Sequence, residues 1–433
     1  MRRHLSEVSW VVGGQAATAL GTLVGVRVLT QFLQPAAYGV LSLSLGISLL
    51  AIGLISTPTT QAAIHYYPGV VAEGGVGELL SSLLRCFRST VPWVALGVVL
   101  GGVWFVEWGN GSAALVLLLT LLIASDCWRS VNLSLLNAAR RQRRYALWAA
   151  ADAWGRPLAG TVVALTVGQS PVAVLGSYVL VSATLLLIFS RRLWPDRAPA
   201  GVVNCDSRRR ELDSRIWTYA LPLVPLGVIA WASSLGDRYI IGGLLNAAEA
   251  GVYVAVYGLA SIPFMIVVGT AEQALRPIYQ VAVSCGNGVR SRRILSIWLG
   301  VVVLFCSLGV CFFAFGNELI AKLFVGKPYR YAAPLMTWIG AGYAIRATSY
   351  VFERVCYAYG QTRRVLAIQV CAVVAAAIAT PLGVVTLGIK GAAMAVPIYF
   401  SVQLAVAVFH ARQTIRAAAT RAADIGHAVP AGP

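Results

Sequence analysis

Twelve Arg, Asp and Glu side chains lie more than three residues inside the ends of long apolar stretches of this sequence: Arg27, Arg129, Arg156, Arg238, Arg276, Arg346 and Arg354, against Asp126, Asp152, Asp237, Glu272 and Glu353. On insertion scales a charge at mid-membrane depth costs about 2.5–3.5 kcal/mol, so each such residue needs either an ion-pair partner or a task. Arginine keeps its proton when partly buried, and its planar fork can hold two phosphate oxygens at once. With guanidinium groups outnumbering carboxylates, the chemistry these residues suit is the binding of an anionic, phosphate-bearing group.

Their spacing separates two kinds of candidate. Asp126/Arg129, Asp152/Arg156 and Glu272/Arg276 stand three or four residues apart, so each pair shares one helix face. Such pairs either neutralise one another or expose a guanidinium to an anion, and spacing leaves both readings open. Arg27 and Arg346 have no acid within a turn of sequence, whereas Arg238 has Asp237 beside it and Arg354 has Glu353. Arg27 either faces a polar interior or reaches outward to lipid headgroups, and Asp237 either serves Arg238 or another group. Tyr66, Tyr67, Tyr253 and Tyr257 could stack on sugar rings or simply pack. The four histidines are scattered and the eight cysteines form no CxxC pair, so neither a metal nor a cofactor nor a catalytic triad is indicated.

The elements that must carry these residues follow from composition. Of 433 residues, 58% are hydrophobic and only 12% charged, which excludes an ordinary soluble domain. Apolar runs long enough to cross a roughly 30 Å hydrocarbon core fall at 8–33, 39–63, 89–108, 112–137, 145–167, 171–190, 216–243, 248–280, 294–315, 333–358, 365–387 and 391–411. The formal charge of +18 is distributed by side. Twenty-three of the 34 basic residues sit in loops on the side of the N-terminus, four in loops on the other side and seven in the runs. The positive-inside rule then places both termini in the cytoplasm, and the basic excess reads as orientation and affinity for anionic headgroups rather than nucleic-acid binding. Outer loops are a few residues each, apart from Gly316 to Ala332, too little for an outer catalytic domain.

The longest hydrophilic stretch, Arg191 to Arg215, divides the chain. The expected organisation is a six-helix lobe over 1–195, a cytoplasmic loop over 196–214, a second six-helix lobe over 215–412 and a cytoplasmic tail over 413–433. The halves resemble each other. Pairing Gly39 with Gly251 aligns Leu33 with Leu245, and an offset of 220 pairs Arg143–Arg144 with Arg363–Arg364 and Gly168 with Gly388. The expected fold class is an all-α polytopic membrane protein of twelve transmembrane helices in two pseudo-symmetric six-helix lobes, N-in and C-in.

Several segments carry a resemblance. LTQFLQPAAYGVLSLSLG (29–46), ALPLVPLGVIAWASSLGDRYIIGGLLNAAEAGVYVAVYGLA (220–260), LFVGKPYRYAAPLM (323–336), GQTRRVLAIQ (360–369) and LGIKGAAMAVPIYF (387–400) are together similar to polysaccharide transporters. These are the Wzx-like oligosaccharide flippases of the multidrug/oligosaccharidyl-lipid/polysaccharide (MOP) superfamily. The resemblance covers about residues 5–412. It implies a MATE-like fold and a non-enzymatic flippase of a bacterial cytoplasmic membrane, moving undecaprenyl-diphosphate-linked oligosaccharide to the outer leaflet. It also implies membrane lipids and a pathway's polymerase and glycosyltransferases as partners. In that fold the first and seventh helices line a central cavity, so Arg27 and Arg238, at matched depth, become candidate phosphate-holding residues. The alternatives are a multidrug exporter of the same fold, which would favour an acid-rich cavity, and a non-transporting scaffold of an envelope assembly complex. A lipid II flippase is close in chemistry but has fourteen helices.

Replacing Arg27 or Arg238 with Ala is expected to abolish glycan export at unchanged protein level, read in cells producing the glycan. Wild-type export from the double variant would remove the pair from the site, and full rescue by Arg27→Lys would reduce its role to charge alone.

Overall fold

In the computed structural model the residues described are 2–62, 79, 81–86, 88, 89, 92, 112–139, 141–190, 213, 214, 216–218 and 224–427. Most of the third apolar run, most of the Arg191–Arg215 stretch, Tyr66, Tyr67 and the last six residues lie outside them.

Where described, the chain is almost entirely helical. Helix α1 spans Arg2–Phe32; α2 spans Pro35–Ala51 and continues through a π-helical turn, Ile52–Ser56, into helix as far as residue 62. Then come α3 (Ala113–Ala138), α4 (Gln142–Thr166), α5 (Pro171–Ser190), α6 (Val224–Leu244), α7 (Ala247–Ser284), α8 (Gly288–Phe324), a 3-10 segment (Lys327–Ala332), α9 (Leu335–Ala358) and α10 (Thr362–His427). Side-chain caps start three of these. Ser112 accepts from the Leu115 amide at 3.2 Å, Asn246 from Glu249 at 2.8 Å and Asn287 from Arg290 at 2.9 Å, each supplying one of the acceptors a helix start lacks.

Six helices among the described residues are long and apolar enough to cross a membrane: those at Pro35–Ala62, Ala113–Ala138, Pro171–Phe189, Ala247–Ser284, Gly288–Phe324 and Thr362–Ala418. The chain is a multi-pass membrane protein. Helices α1, α4, α6 and α9, which carry Arg27, Arg156, Arg238 and Arg346, are not among those six.

Several boundaries differ from the apolar runs. Helix α7 passes through Pro263 and Pro277 without interruption. Helix α8 runs nine residues beyond the ninth run's end at 315, to Phe324, so the segment expected as a 17-residue outer loop is mostly α8 and the 3-10 turn.

 The residues of α8 past that run are 316–324, and the 3-10 turn adds Lys327–Ala332. The eleventh and twelfth runs are two helices within α10, parted as their boundaries predict at Gly388, whose φ of 61° is not helical. A left-handed residue between two helical segments favours glycine, which has no Cβ to clash. Gly168, between α4 and α5, likewise has a positive φ of 121°, so the two glycines paired at an offset of 220 occupy the same kind of turn. Gly39 and Gly251 are each buried in the second turn of their helices, α2 and α7.

The chain divides into two compact units, Met1–Trp231 and Ala232–Pro433. The division falls inside α6 rather than in the hydrophilic stretch before it. The reason is local packing in the first unit: the Trp231 indole donates to the Gly46 carbonyl at 2.8 Å, and a Cβ on Gly227 would stand 2.6 Å from the Gly53 carbonyl oxygen. The first half of α6 is thereby held against the π-helical turn of α2.

Within the first unit, α1 lies against α4 through a glycine face. A Cβ on Gly14 would stand 2.5 Å from Ala146, one on Gly21 2.8 Å from the Trp154 ring, and one on Gly25 2.6 Å from Pro157. The Trp154 indole donates to the Ala17 carbonyl at 2.9 Å across the same face. Small residues let membrane helices approach this closely and gain dispersion contacts that lipid does not replace. In the second unit Gly309 and Gly340 leave room for the Phe264 ring, Gly342 lies against Val396, and Gly383 meets Gly391 backbone to backbone on either side of the Gly388 turn.

Gly391→Val, whose Cβ would overlap the Gly383 carbonyl, is expected to lower the melting temperature of the purified protein by several degrees, the effect of an overpacked contact costing about 1–3 kcal/mol. Gly258→Ala, at a position with open space beyond the Cα, should melt as the parent does.

Candidate functional site

The first unit gathers four of the expected site residues into one network. Sequence spacing joins Asp126 to Arg129 and Asp152 to Arg156, and both contacts form, at 3.3 and 2.9 Å. The structure also joins them crosswise. The Arg156 guanidinium bridges from α4 to both oxygens of Asp126 on α3, and Arg129 reaches Asp152 at 3.5 Å. Ser182 on α5 accepts from Arg156 at 2.7 Å, and Ser48 on α2 donates to Asp126 at 3.3 Å. Two arginines and two aspartates thus neutralise one another across α3 and α4, with serines from two further helices completing the hydrogen bonding. Asp126 is only 3% exposed. Removing one member of a buried pair strands the other charge, at a typical cost of about 3–5 kcal/mol.

Arg27 lies half-buried on α1 in the same unit. It belongs to a different unit from Arg238.

The second unit arranges its charges differently. Glu272 on α7 receives two arginines: Arg276 one turn along its own helix at 3.0 Å, and Arg354 from α9 at 2.9 Å. Glu353, the neighbour of Arg354 in sequence, points elsewhere. Its carboxylate accepts from Gln403 at 2.8 Å and Gln369 at 3.0 Å, both on α10, and is 2% exposed. Asp237 does not pair with the Arg238 guanidinium. It accepts from the Tyr253 hydroxyl at 2.8 Å and from the Arg238 backbone amide at 2.9 Å.

That leaves Arg238 and Arg346 with no carboxylate on their guanidinium groups among the described residues; each has a buried Nε without a hydrogen-bond partner there. Both rest on aromatic rings instead. Arg238 lies 5.4 Å from the centre of the Tyr257 ring. Arg346 lies 5.0 Å from Phe400 and 5.5 Å from both Tyr343 and Tyr350, and donates to the Tyr350 hydroxyl at 3.0 Å. The two arginines are linked through their tyrosines: the Tyr343 hydroxyl donates to that of Tyr257 at 3.1 Å, and the rings meet edge to face at 5.6 Å. A ring face attracts a cation by about 0.5–2 kcal/mol, enough to offset much of the insertion cost of a guanidinium while leaving its hydrogen-bond donors available to an anion.

Tyr253 and Tyr257 are 0% and 2% exposed, so they pack and orient charges rather than present faces to a sugar. Tyr343, Tyr350 and Phe400 were not singled out by the sequence reading. Tyr350 and Tyr343 stand four after and three before Arg346, a spacing that carries the signal; Phe400 comes from another helix and carries none. The glutamines on Glu353 are also visible only in three dimensions.

No family model and no curated protein matches the sequence. Solved structures do. An inward-facing multidrug resistance MATE family transporter of the MOP superfamily is similar with a TM-score of 0.71 at 16% identity, covering 93% of this chain and 96% of that one. The lipid II flippase MurJ, in an inward closed conformation, is similar with a TM-score of 0.70 at 11% identity, covering 94% and 90%. A MOP superfamily transporter from Pyrococcus furiosus reaches 0.60 at 16% identity, covering 95% of each chain. The fold is that of MOP superfamily transporters, a class of multi-pass membrane proteins that includes both MATE and MurJ structures.

Arg156→Leu is expected to destabilise the protein by about 3 kcal/mol, measured by thermal unfolding in detergent. Arg276→Leu, whose guanidinium is 41% exposed, should cost less than about 1 kcal/mol. Equal losses would show that the crosswise network is no stronger than a surface pair.

Proposed function

We propose that this protein is a membrane flippase for undecaprenyl-diphosphate-linked oligosaccharide. It would carry the unit from the cytoplasmic to the outer leaflet of a bacterial inner membrane for surface or exported polysaccharide. The chain crosses the membrane twelve times with both termini in the cytoplasm. Its substrate is supplied by glycosyltransferases and its product taken up by a polymerase. The chain's part is binding and movement, with no bond made or broken.

The observation that carries this reading is the pair Arg238 and Arg346, two guanidinium groups free of carboxylates among the described residues and held on tyrosines in the second unit. A diphosphate offers two adjacent anionic centres, and two arginines joined by a tyrosine pair suit it. Arg27, half-buried on α1 of the first unit, is a phosphate-binding candidate of that unit by itself. Arg276, with its part-exposed guanidinium, assists, whereas Arg129 and Arg156 serve the fold through Asp126 and Asp152. The likeness of fold to MurJ, a lipid II flippase, is consistent with a lipid-linked substrate.

A multidrug exporter is the other reading the fold allows. An exporter of cationic drugs needs an accessible carboxylate. Asp126, Asp152 and Glu272 are held by arginines, Asp237 by Tyr253 and Glu353 by two glutamines, which favours an anionic substrate.

The test is flipping of a fluorescent polyprenyl-diphosphate oligosaccharide in proteoliposomes. Arg238→Ala and Arg346→Ala are each expected to lower the rate at least about tenfold, the worth of one charged hydrogen bond, with unchanged melting temperature. Arg346→Lys should recover less than half, because an ammonium lacks the fork. Parent-like flipping by the double Ala variant would end the assignment.

A further inference from the structure

The arginine-rich end of the second unit holds a cleft of about 260 Å³ at the α7–α8 turn. It is remote in sequence from the arginine–tyrosine site and has no part in the chemistry above. Its lining includes Tyr279 near the end of α7, Asn287 and Arg292 at the start of α8, and Tyr359 after α9, with Leu295 and Ile415 as an apolar wall.

We propose that this cleft binds the phosphate of an anionic phospholipid from the leaflet on the arginine-rich side.

Three observations carry the proposal. First, the charge is of one sign: the segments that form the cleft, 279–295, 359–364 and 410–420, hold seven arginines and no acid. Second, donors converge on the cleft without protein partners. Tyr279 is 2% exposed, lines the cleft, and its hydroxyl has no hydrogen-bond partner among the described residues; the same holds for the hydroxyl of Tyr359. Asn287, which also lines the cleft, accepts from the Arg290 amide through its side-chain oxygen and so spends that acceptor on the helix start. The start of α8 adds the positive end of a 37-residue helix dipole. Third, the surface beyond the cleft suits acyl chains. Ile297, Leu304, Leu308 and Phe312 run along α8 from the cleft, each about half exposed or more. A free anion would use the donors but not this apolar track. Basic pockets between helices at a membrane surface are the expected place for anionic headgroups.

The experiment is native mass spectrometry of the full chain in detergent, titrated with phosphatidylglycerol, with phosphatidylcholine of the same acyl chains, and with inorganic phosphate as competitor. Arg292→Ala is expected to weaken phosphatidylglycerol binding about tenfold, the worth of a charge-assisted hydrogen bond. Tyr279→Phe, which keeps the ring, should weaken it about threefold. Arg141→Ala, an exposed arginine of the first unit, should change it less than twofold. Equal effects of Arg292→Ala and Arg141→Ala would overturn the proposal, as would parent-like binding by Tyr279→Phe. So would equal retention of phosphatidylcholine. Displacement of the lipid by millimolar inorganic phosphate would make the site one for a free anion and would also overturn it.

Discussion

A charge inside a low-dielectric bundle must meet a partner, and this requirement organises the interior of the protein. Among the described residues Asp126, Asp152, Asp237, Glu272 and Glu353 are all engaged, by arginines, a tyrosine or glutamines. What differs between the two units is whether the arginines are engaged in return. In the first, two arginines and two aspartates close into a neutral network across four helices. In the second, Glu272 takes two arginines while Arg238 and Arg346 are left to aromatic rings. Rings lessen the cost of burying a guanidinium without consuming its hydrogen bonds, so these two groups are stable in the bundle and still able to grip an anion.

Helix packing decides where those groups can be. The glycines at 14, 21 and 25 bring α1 against α4, and the close approach of Gly53 and Gly227 ties the start of α6 to α2. In the second unit Gly342 lets α9 meet α10 near Val396, which brings Phe400 onto Arg346. Arg346 and the ring beneath it are therefore brought together by the close approach of two helix backbones. Precision of this kind matters for a bidentate contact, which weakens quickly when donors shift.

The two units share local features at the positions that the sequence pairs. Gly168 and Gly388 occupy equivalent turns with positive φ, and Gly39 and Gly251 equivalent second turns. On this shared helical plan the two halves carry different polar interiors. The first has a carboxylate for each of its clustered arginines. The second has put tyrosines and glutamines where a strictly neutral core would place opposite charges.

Sequence alone determined the class of the protein, because spanning a bilayer leaves a signal in every apolar run and in the side on which arginines fall. It also determined the i,i+3 and i,i+4 pairs, since these depend only on helical periodicity. Helix ends were less legible: α8 and α10 run past the apolar stretches because backbone hydrogen bonding does not stop where hydrophobicity does. The crosswise partner of Arg156, the glutamines that hold Glu353, the turning of Asp237 to Tyr253 and the Phe400 face over Arg346 were decided only by tertiary structure. Each joins residues on different helices, and the distance between helices is set by packing that no local spacing encodes.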